Sequence, residues 1–353
     1  MPEIWRLLDT GLAAPAPHIA LNRALLEARD ADEIASTLRF ARSTTCALLG
    51  VHQSAGQVLD LDYCRARRIP IQRRISGGPA GYVDERQLIF ELYLHRRDVG
   101  HGDLRSISKK LCHAAATAIS ALGVDARYRA RNDIEVDGRL LATSSCALEG
   151  NAILFQATLF IELDPIQALD VFRAPGHKFP AMERARRIVS VKQLLRSRPD
   201  VRLIKQHIAE AFESEFDVEF REGEMALSET ARYQAALRQI ESQDWIDLVA
   251  RPARDMPLLE SAGESGAPLH ALVLYETPTR TIREVWFLGD IALSPGRTIL
   301  DLEATLRDAS ISDLEHRVQW FFRSRPVQMS GVAPSDFVIA VQRALKAPLP
   351  ARN

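Results

Sequence analysis

The feature that most constrains the fold of this chain is a tight turn between two apolar segments. Asp137-Gly138 stands between Ile134-Glu135-Val136 and Arg139-Leu140-Leu141. An Asp-Gly pair flanked by alternating apolar residues is a strong signal for a two-residue β-hairpin, because both turn residues must adopt positive φ. The turn therefore predicts an antiparallel sheet here. Leu140 and Leu141 are consecutive, so the second strand begins apolar on both faces.

The segments around this hairpin alternate between helix-like and strand-like patterns. Apolar spacings of three and four predict helices in residues 16–34, 104–124, 203–216 and 228–242. Apolar runs rich in aromatic and β-branched residues predict strands in residues 45–51, 86–94 and 151–163. The mixture predicts an α+β fold, with a mixed β-sheet flanked by helices.

The length of 353 residues suits two domains, since single domains usually contain about 100–200 residues. A segment rich in Pro, Gly and Ser follows residue 250. Such segments commonly connect domains. We predict a larger α+β domain in residues 1–250, a linker in residues 251–266 and a small α+β domain in residues 267–353. The small domain would contain a hairpin followed by two helices.

Composition excludes several classes of function. The net charge of −1, from 45 basic and 46 acidic side chains, gives no overall attraction to nucleic acid or to an anionic membrane. The four cysteines form no C-x-x-C pair, so neither a zinc knuckle nor a disulfide framework is indicated. The N-terminus lacks the basic start and apolar run of a signal peptide. We expect a cytoplasmic monomer that binds neither nucleic acid nor membrane.

The chemistry is concentrated in a loop after a predicted strand. Two arginines, Arg73 and Arg74, precede Ser76-Gly77-Gly78. Backbone amides of such small residues can approach an anion without interference from Cβ atoms. The segment has neither the G-x-G-x-x-G spacing of a dinucleotide-binding fold nor the Gly-Lys-Ser/Thr of a P-loop. On the local pattern alone, a surface turn with solvated arginines is the simpler interpretation.

The same loop carries a family resemblance. The sequence RRISGGPAGYVD resembles the Arg-Arg-x-Ser-Gly-Gly-Gly-Ala-Val-Tyr-His-Asp signature of lipoate-protein ligases, which share a superfamily with biotin ligases and octanoyltransferases. Further segments resemble that family in the same order: residues 5–27, 48–74, 132–145, 157–164, 242–252 and 287–308. The resemblance implies a biotin/lipoate ligase-like catalytic domain followed by a small accessory domain.

The resemblance also implies an activity. In that family ATP and lipoate, or octanoate, form an acyl-AMP, and the acyl group then passes to a lysine of a lipoyl domain. The positions that match the family's substrate- and nucleotide-binding residues are Arg74, Ser76, Gly77, Gly78, Tyr82, Asp84, Asn132, Asp133, Ser144 and Thr158. Asp133 would bind the Mg²⁺ of the nucleotide, since carboxylate oxygen is a ligand that Mg²⁺ prefers. A core role for Tyr82 is equally compatible with the sequence.

One substitution stands out against this resemblance. Leu140 occupies the position of the superfamily's lysine, which bridges the acyl carboxylate and the α-phosphate. Further departures fall in the same site: Pro79, Val83, Thr143 and Gln156-Ala157. Loss of one preorganised donor of this kind typically costs about 10²–10³ in rate.

Two hypotheses therefore remain open. In the first, the chain is an acyl ligase whose positive charge has moved, and the candidate replacements are Lys178, Lys192, Arg73 and Arg139. In the second, it is a non-catalytic relative that binds lipoyl domains, acyl-adenylate or a partner ligase. A third route, through a thioester on Cys146, is disfavoured, because Cys146 does not lie in the expected Pro-Cys-Gly-like turn and is predicted to be buried and inert.

Overall fold

The centre of the molecule is an eight-stranded mixed β-sheet. The computed structural model describes residues 2–100, 104–129, 133–173, 181–248, 258–261, 269–289, 291–295 and 297–346. The strands of the sheet run in the order β11-β1-β2-β6-β10-β9-β8-β7. Their bounds are β1 Glu3–Ala13, β2 Thr37–Ser43, β6 Leu88–His95, β7 Arg127–Arg129, β8 Asp133–Val136, β9 Arg139–Glu149, β10 Ala152–Leu159 and β11 Val218–Glu222. This sheet, flanked by helices, confirms the predicted α+β class.

The helices of this part of the chain cover both faces of the sheet. Their bounds are α1 Pro15–Asp30, α2 Ala55–Val58, α3 Leu61–Ala66, α4 Arg96–Val99, α5 Leu104–Ser120, α6 Pro165–Asp170, α7 Ala181–Ala185, α8 Val191–Leu195, α9 Val201–Phe216, α10 Leu227–Ile240 and α11 Gln243–Ile246. On one face α5 and α9 pack on Phe90 and Phe155, which belong to the main core. On the other face α1 packs on Tyr93 and Leu154.

A small three-stranded sheet lies beside α1. It consists of β3 Cys46–Leu49, β4 Ile71–Arg73 and β5 Gly81–Val83, with β3 in the centre. Its core contains Leu49, Leu59 and Tyr82. The arginine motif leaves this sheet at the end of β4, so the small sheet fixes where the motif starts.

The hairpin predicted at Asp137-Gly138 is confirmed. Both turn residues have positive φ, 52° and 73°. The pairing of β8 with β9 shifts register between Ile134 and Glu135, so that Glu135 pairs with Leu140 rather than Leu141. This shift is a β-bulge with Leu141 as the extra residue.

The C-terminal part of the chain has its own core. It contains β12 Leu258–Glu260, β13 Leu269–Glu276, β14 Thr281–Gly289, β15 Ala292–Ser294, β16 Ala309–Ser310, β17 Gln328–Ser330, α12 Thr298–Leu306, a 3₁₀ turn Ile311–Asp313, α13 Leu314–Arg323 and α14 Pro334–Lys346. Phe287, Phe321 and Phe337 are buried there. The predicted hairpin is β13–β14, and three described helices follow it rather than the two expected.

The domain boundary stays a prediction. Within the predicted linker, residues 251–257 and 262–266 lie outside the described residues, and Leu258–Glu260 forms the strand that pairs with β13. No helix in the described parts of the chain has both the length and the apolar character needed to cross a membrane.

Candidate functional site

The arginine loop, residues 74–80, folds around its own arginine. Arg74 donates hydrogen bonds to the carbonyl oxygens of Gly77, at 2.6 Å, and Pro79, at 2.9 Å. The loop also packs on Gly50 at the end of β3, where a Cβ atom would lie 2.1 Å from the carbonyl oxygen of Gly78. Gly78 itself has a φ of +98°, a conformation that favours glycine. The loop is therefore a closed turn held by one guanidinium and one close backbone approach.

Arg73 anchors the start of the loop from within the protein. Its side chain is fully buried, and it donates hydrogen bonds to the backbone carbonyl oxygens of Gly50, Val51, Gln53, Trp245 and Ile246. Burial lowers the pKa of Arg73 to about 10, which leaves it charged at neutral pH. Carbonyl oxygens therefore surround the guanidinium of Arg73, which is one of the candidates for the displaced positive charge.

Ser76 connects the loop to the central sheet. Its hydroxyl is fully buried, donates to the Oε1 atom of Gln156 at 2.7 Å and lies 3.1 Å from the hydroxyl of Ser145. It also accepts from Nε of Arg74 at 3.1 Å. The side chains of Arg74 and Ser76, which the resemblance assigned to adenylate oxygens, therefore bind to the loop and to the sheet floor.

The segment after the loop contains a buried amide group that has no partner. Both side-chain polar atoms of Gln87 are buried without a hydrogen-bond partner among the described residues. Its backbone N–H donates to the carbonyl oxygen of Asp84, whose buried carboxylate binds Arg86 at 2.6 Å. Tyr82 packs in the core of the small sheet, and burial raises its pKa to about 12. Buried polar groups are nearly always satisfied, so Gln87 marks a place for a ligand or a water molecule.

The predicted residues of the hairpin separate onto two faces. Ser144 faces α5, where its hydroxyl lies 3.1 Å from Sγ of Cys112, whereas Ser145 faces the arginine loop. Thr158 pairs with Thr143 at the end of β10. Asp133, the proposed metal ligand, begins β8 and is half-buried, and Asn132 lies outside the described residues. Among the described residues, His, Cys, Asp and Glu side chains form no group of three or more that would hold a metal ion.

The bulge in β9 determines where Leu140 points. Residues that pair across a ladder share a face, and Asp133 and Glu135 lie two apart on β8. Their partners, Thr143 and Leu140, therefore lie on the same face, which is also the face of Ser145. Beyond the end of β10 the backbone of Leu140 is bound by residues 187–189, through hydrogen bonds of 2.7 and 2.9 Å. The side chain at position 140 therefore shares the face of the arginine loop.

The described candidates for a displaced positive charge are engaged elsewhere. Lys192 binds Glu162 at 2.7 Å, and both side chains are about half exposed. Arg139 pairs with Val136, whose side chain is in the main core, so the bulge turns Leu140 and not Arg139 toward the loop. Lys178 lies outside the described residues.

All four cysteines are buried. Burial raises the pKa of the Cys46 and Cys146 thiols to about 12 and that of the Cys112 thiol to about 11, and it also raises the pKa of Cys64. Thiolates are the nucleophilic form of cysteine, so these thiols are held in the unreactive form at neutral pH. The prediction that Cys146 is buried is confirmed.

A mostly apolar cavity of about 510 Å³ adjoins the arginine loop. Its lining includes Ile75, Gly77 and Ala147, and the C-terminal part of the chain contributes Trp286, Leu293 and Leu300. Charged side chains such as Arg23, Glu149 and Arg297 also line it. Glu303 also lines it, and burial raises the pKa of this carboxyl to about 7. Asp133, which the resemblance assigns to Mg²⁺, is not among the residues that line this cavity.

Sequence reasoning missed a set of buried polar side chains behind Gln156, which we call the buried polar cluster. It consists of His18, Asn22, Arg39, Glu91 and Tyr93. A signal was present, since Arg39 and Glu91 are single charged residues in otherwise apolar strand segments, TLRFA and LIFELYL. A buried charge requires a partner of opposite charge. One basic and one acidic residue in two buried strands therefore predict that the two side chains pair.

Comparisons with known proteins agree with this fold. Residues 14–213 match the family model of the lipoyl protein ligase A/B catalytic domain. Octanoyltransferase LipM of Moorella thermoacetica is 24% identical over 267 residues, covering 69% of this chain and 98% of that protein. The structure of P. falciparum LipL1 in complex with lipoate has a TM-score of 0.74 at 12% identity, over 97% of this chain and 99% of that one. Lipoate-protein ligase A bound with ATP has a TM-score of 0.59 at 20% identity, over 70% and 98%.

Proposed function

Because this chain belongs to the lipoyl protein ligase A/B catalytic-domain family, we propose that it binds a lipoyl or octanoyl group as the adenylate and transfers the acyl group to a lysine of a lipoyl domain. The observation that carries this proposal is the position of the arginine loop on the wall of the apolar cavity, which Ile75 and Gly77 share. Loop amides suit an anionic oxygen, and the cavity suits an acyl chain.

The cavity supports an acyl substrate of medium length. Its volume of about 510 Å³ falls within the range of about 300–1,000 Å³ that is common for small-molecule sites. The relatives act on, or hold, eight-carbon acyl groups: LipM is named as an octanoyltransferase, and the LipL1 structure contains lipoate. We assign the acyl chain to the cavity and its carboxyl end to the loop.

We assign the nucleotide to the segment that follows the loop. There the side-chain amide of Gln87 is buried and has no hydrogen-bond partner among the described residues, and its backbone N–H donates to the carbonyl oxygen of Asp84, so this segment fits a group rich in hydrogen-bonding atoms. We propose that Gln87 and Asp84 face the nucleotide and that Asp133 binds its Mg²⁺. Bound ATP supplies the pyrophosphate leaving group of acyl activation. The protein orients the reacting groups through the loop amides and the closed turn around Arg74.

A route through a cysteine thioester is disfavoured by the state of the thiols. Burial holds the pKa values of the four cysteines above the usual range. A transfer through Cys146 would need a thiolate, which burial opposes. The adenylate route needs no thiol.

A second candidate is a binding protein without activation chemistry. Leu140 lies on the face of the arginine loop and has no positive charge, and the described candidate replacements are engaged elsewhere. Such a protein would bind acyl-adenylate and would release no pyrophosphate. The two candidates therefore differ in activation of the free acid and agree in adenylate binding.

One set of measurements tests the proposed function. Isothermal titration with a non-hydrolysable lipoyl-AMP analogue should show binding, and AMP alone should bind more weakly because it leaves the cavity empty. Preformed lipoyl-AMP and a lipoyl domain should yield the acylated domain by mass spectrometry, and a domain with its acceptor lysine replaced by arginine should stay unmodified. Absence of analogue binding would reject both candidates, and binding without transfer would leave the non-catalytic one.

Gly50→Ala should weaken analogue binding about tenfold or more. The added Cβ atom would lie 2.1 Å from the carbonyl oxygen of Gly78, which is backbone and cannot rotate away, so the loop must move. Gly56→Ala is the matched control, because its Cβ would have no atom within 4 Å and its position in α2 favours alanine over glycine. Equal affinities of the two variants would show that the loop does not bind the ligand.

A further inference from the structure

Gln156 lies between Ser76 of the arginine loop and the buried polar cluster. Its Oε1 accepts from the Ser76 hydroxyl at 2.7 Å, and its Nε2 donates to Oε1 of Glu91 at 2.8 Å and to Oδ1 of Asn22 at 3.3 Å. A carboxylate accepts hydrogen bonds and never donates them when ionised. Glu91 therefore requires the NH₂ end of the amide, and the oxygen end must face Ser76.

Glu91 is itself fixed in position and in charge. Arg39 donates to its Oε2 at 2.9 Å, and Tyr93 and Asn22 donate to the same atom at 2.6 and 2.7 Å. Burial opposes ionisation of this carboxyl, but the charge of Arg39 and hydrogen bonds from His18 and Tyr93 outweigh burial and hold its pKa below the usual range. Glu91 is thus a fully buried side chain that is held as a carboxylate at neutral pH.

His18 completes the arrangement as a neutral side chain. Burial lowers its pKa, and the nearby charge of Arg39 lowers it further. Nη2 of Arg39 lies 3.2 Å from Nδ1 of His18, and Nε2 lies 3.3 Å from Glu91. Since a guanidinium only donates, Nδ1 accepts and Nε2 carries the proton. Every member of the cluster therefore has one preferred donor–acceptor direction.

We propose that Gln156 is a positioning residue that holds the arginine loop in its binding conformation through Ser76, with its amide oriented by the Glu91 carboxylate. Arg39 holds Glu91 as a carboxylate, and the carboxylate orients the amide of Gln156. The amide oxygen of Gln156 then accepts a hydrogen bond from the Ser76 hydroxyl. The oxygen of Ser76 is then free to accept from Nε of Arg74, which closes the turn. This inference rests on the proposed function for its ligand, but the loop conformation can be measured without one.

Gln156→Glu tests the proposal, because it changes one amide nitrogen for an oxygen. At pH 7.5 two carboxylates would meet at the 2.8 Å contact with Glu91, so the pair would bind a proton in the folded state more tightly than when unfolded. The hydrogen bond between Ser76 and residue 156 is then present at low pH. It is lost as pH rises through the raised pKa of the carboxyl pair. The charged or titratable groups that face this pair are Arg39, His18 and Tyr93, with Arg74 beyond Ser76.

Hydrogen exchange of residues 74–80, corrected for the intrinsic rate, is the readout that needs no ligand. In Gln156→Glu these amides should exchange about tenfold faster than wild type at pH 7.5 and near the wild-type rate at pH 5.5. The affinity for the lipoyl-AMP analogue should follow the same pH profile. Gln206→Glu is the matched control, since Gln206 also donates to a glutamate, Glu210, at 2.8 Å but is exposed on α9.

A swapped pair separates positioning from general loss of structure. Glu91→Gln combined with Gln156→Glu restores one carboxylate and one amide, and should remove most of the pH dependence. If Gln156→Glu does not fold, Gln156→Asn, which is neutral and shorter, should raise loop exchange at both pH values equally. The proposal would be overturned if Gln156→Glu at pH 7.5 had the same hydrogen exchange in residues 74–80, and the same affinity for the analogue, as the wild-type protein. Failure of wild type to bind the analogue would reject the proposed function, and the exchange data would still decide this inference.

Discussion

Leu140→Lys should raise pyrophosphate release from lipoate and ATP by about 10²–10³-fold over wild type, which corresponds to restoring one preorganised charged donor. Leu140 lies on the same face as Thr143 and Ser145, so a lysine there would point toward the arginine loop. Wild type should bind preformed adenylate and release little pyrophosphate, because ground-state binding rests on other contacts. A coupled pyrophosphate assay measures both proteins.

The control for this experiment is Leu140→Met, which keeps the volume and adds no charge. It should leave pyrophosphate release at the wild-type level. Thr143→Gly and Pro79→Gly, added to Leu140→Lys, restore two further positions of the family pattern and should increase the rate again. Brisk release by wild type would contradict this prediction and would make Lys178→Ala the next variant, since Lys178 is the candidate outside the described residues.

Leu140→Lys should also lower the free energy of unfolding of the protein without ligand. Leu140 is half-buried, so a lysine would keep part of its hydration, and we expect a loss of about 1–3 kcal/mol in the free energy of unfolding. Adenylate binds the folded protein alone and should restore the loss in proportion to its concentration. Thermal unfolding with and without the analogue measures the effect.

Sequence patterns predicted the elements better than their arrangement. The Asp137-Gly138 turn specified the hairpin, because only a few residue pairs accept positive φ twice. The bulge at Leu141 was not visible, since a register shift depends on how both strands pack. Strand β11 was also missed, because VEFRE is a short, polar edge segment between two helices and pairs with β1, more than 200 residues earlier.

The sequence indicated the arginine loop but not the contacts within it. The motif Arg-Arg-x-Ser-Gly-Gly located the loop, and in the structure Arg74 and Ser76 bind their own loop and the sheet. Their role toward a ligand stays a prediction. The partners that decide this, Ser145 and Gln156, are 69 and 80 residues away in sequence. A motif in one segment shows which side chains are present. It does not show which of them are bound by distant parts of the same chain.

Arg39→Met should destabilise the protein by about 3–5 kcal/mol, the usual cost of leaving a buried charge without its partner. Glu91 is fully buried and Arg39 nearly so, 2.9 Å apart. Methionine fills much of the space of the arginine stem but leaves the carboxylate with only uncharged neighbours: Asn22, Tyr93, His18 and Gln156. Urea denaturation at pH 7.5 measures the loss.

The pH dependence of stability should change sign in this variant. In wild type the pKa of Glu91 is held below its ordinary value, so its contribution is present above that value and is lost only as pH falls through the lowered pKa. Burial is the largest influence on the Glu91 carboxyl, and without the charge of Arg39 it should raise the pKa of Glu91 above the unfolded value. Glu91 then binds a proton more tightly in the folded state, so stability should rise as pH falls from 7.5 toward 5.

Arg39→Met combined with Glu91→Met distinguishes the cost of an unpaired charge from the cost of lost side-chain packing. Replacing a whole buried ion pair with apolar groups of similar size is often neutral, whereas removing one partner is costly. The double variant should therefore be more stable than Arg39→Met at pH 7.5 and should lack the stabilisation on acidification, although Gln156 loses the carboxylate that orients its amide. A double variant as unstable as Arg39→Met, or a single variant with no pH dependence, would mean that the cavity left by arginine, rather than the unpaired Glu91 charge, limits stability.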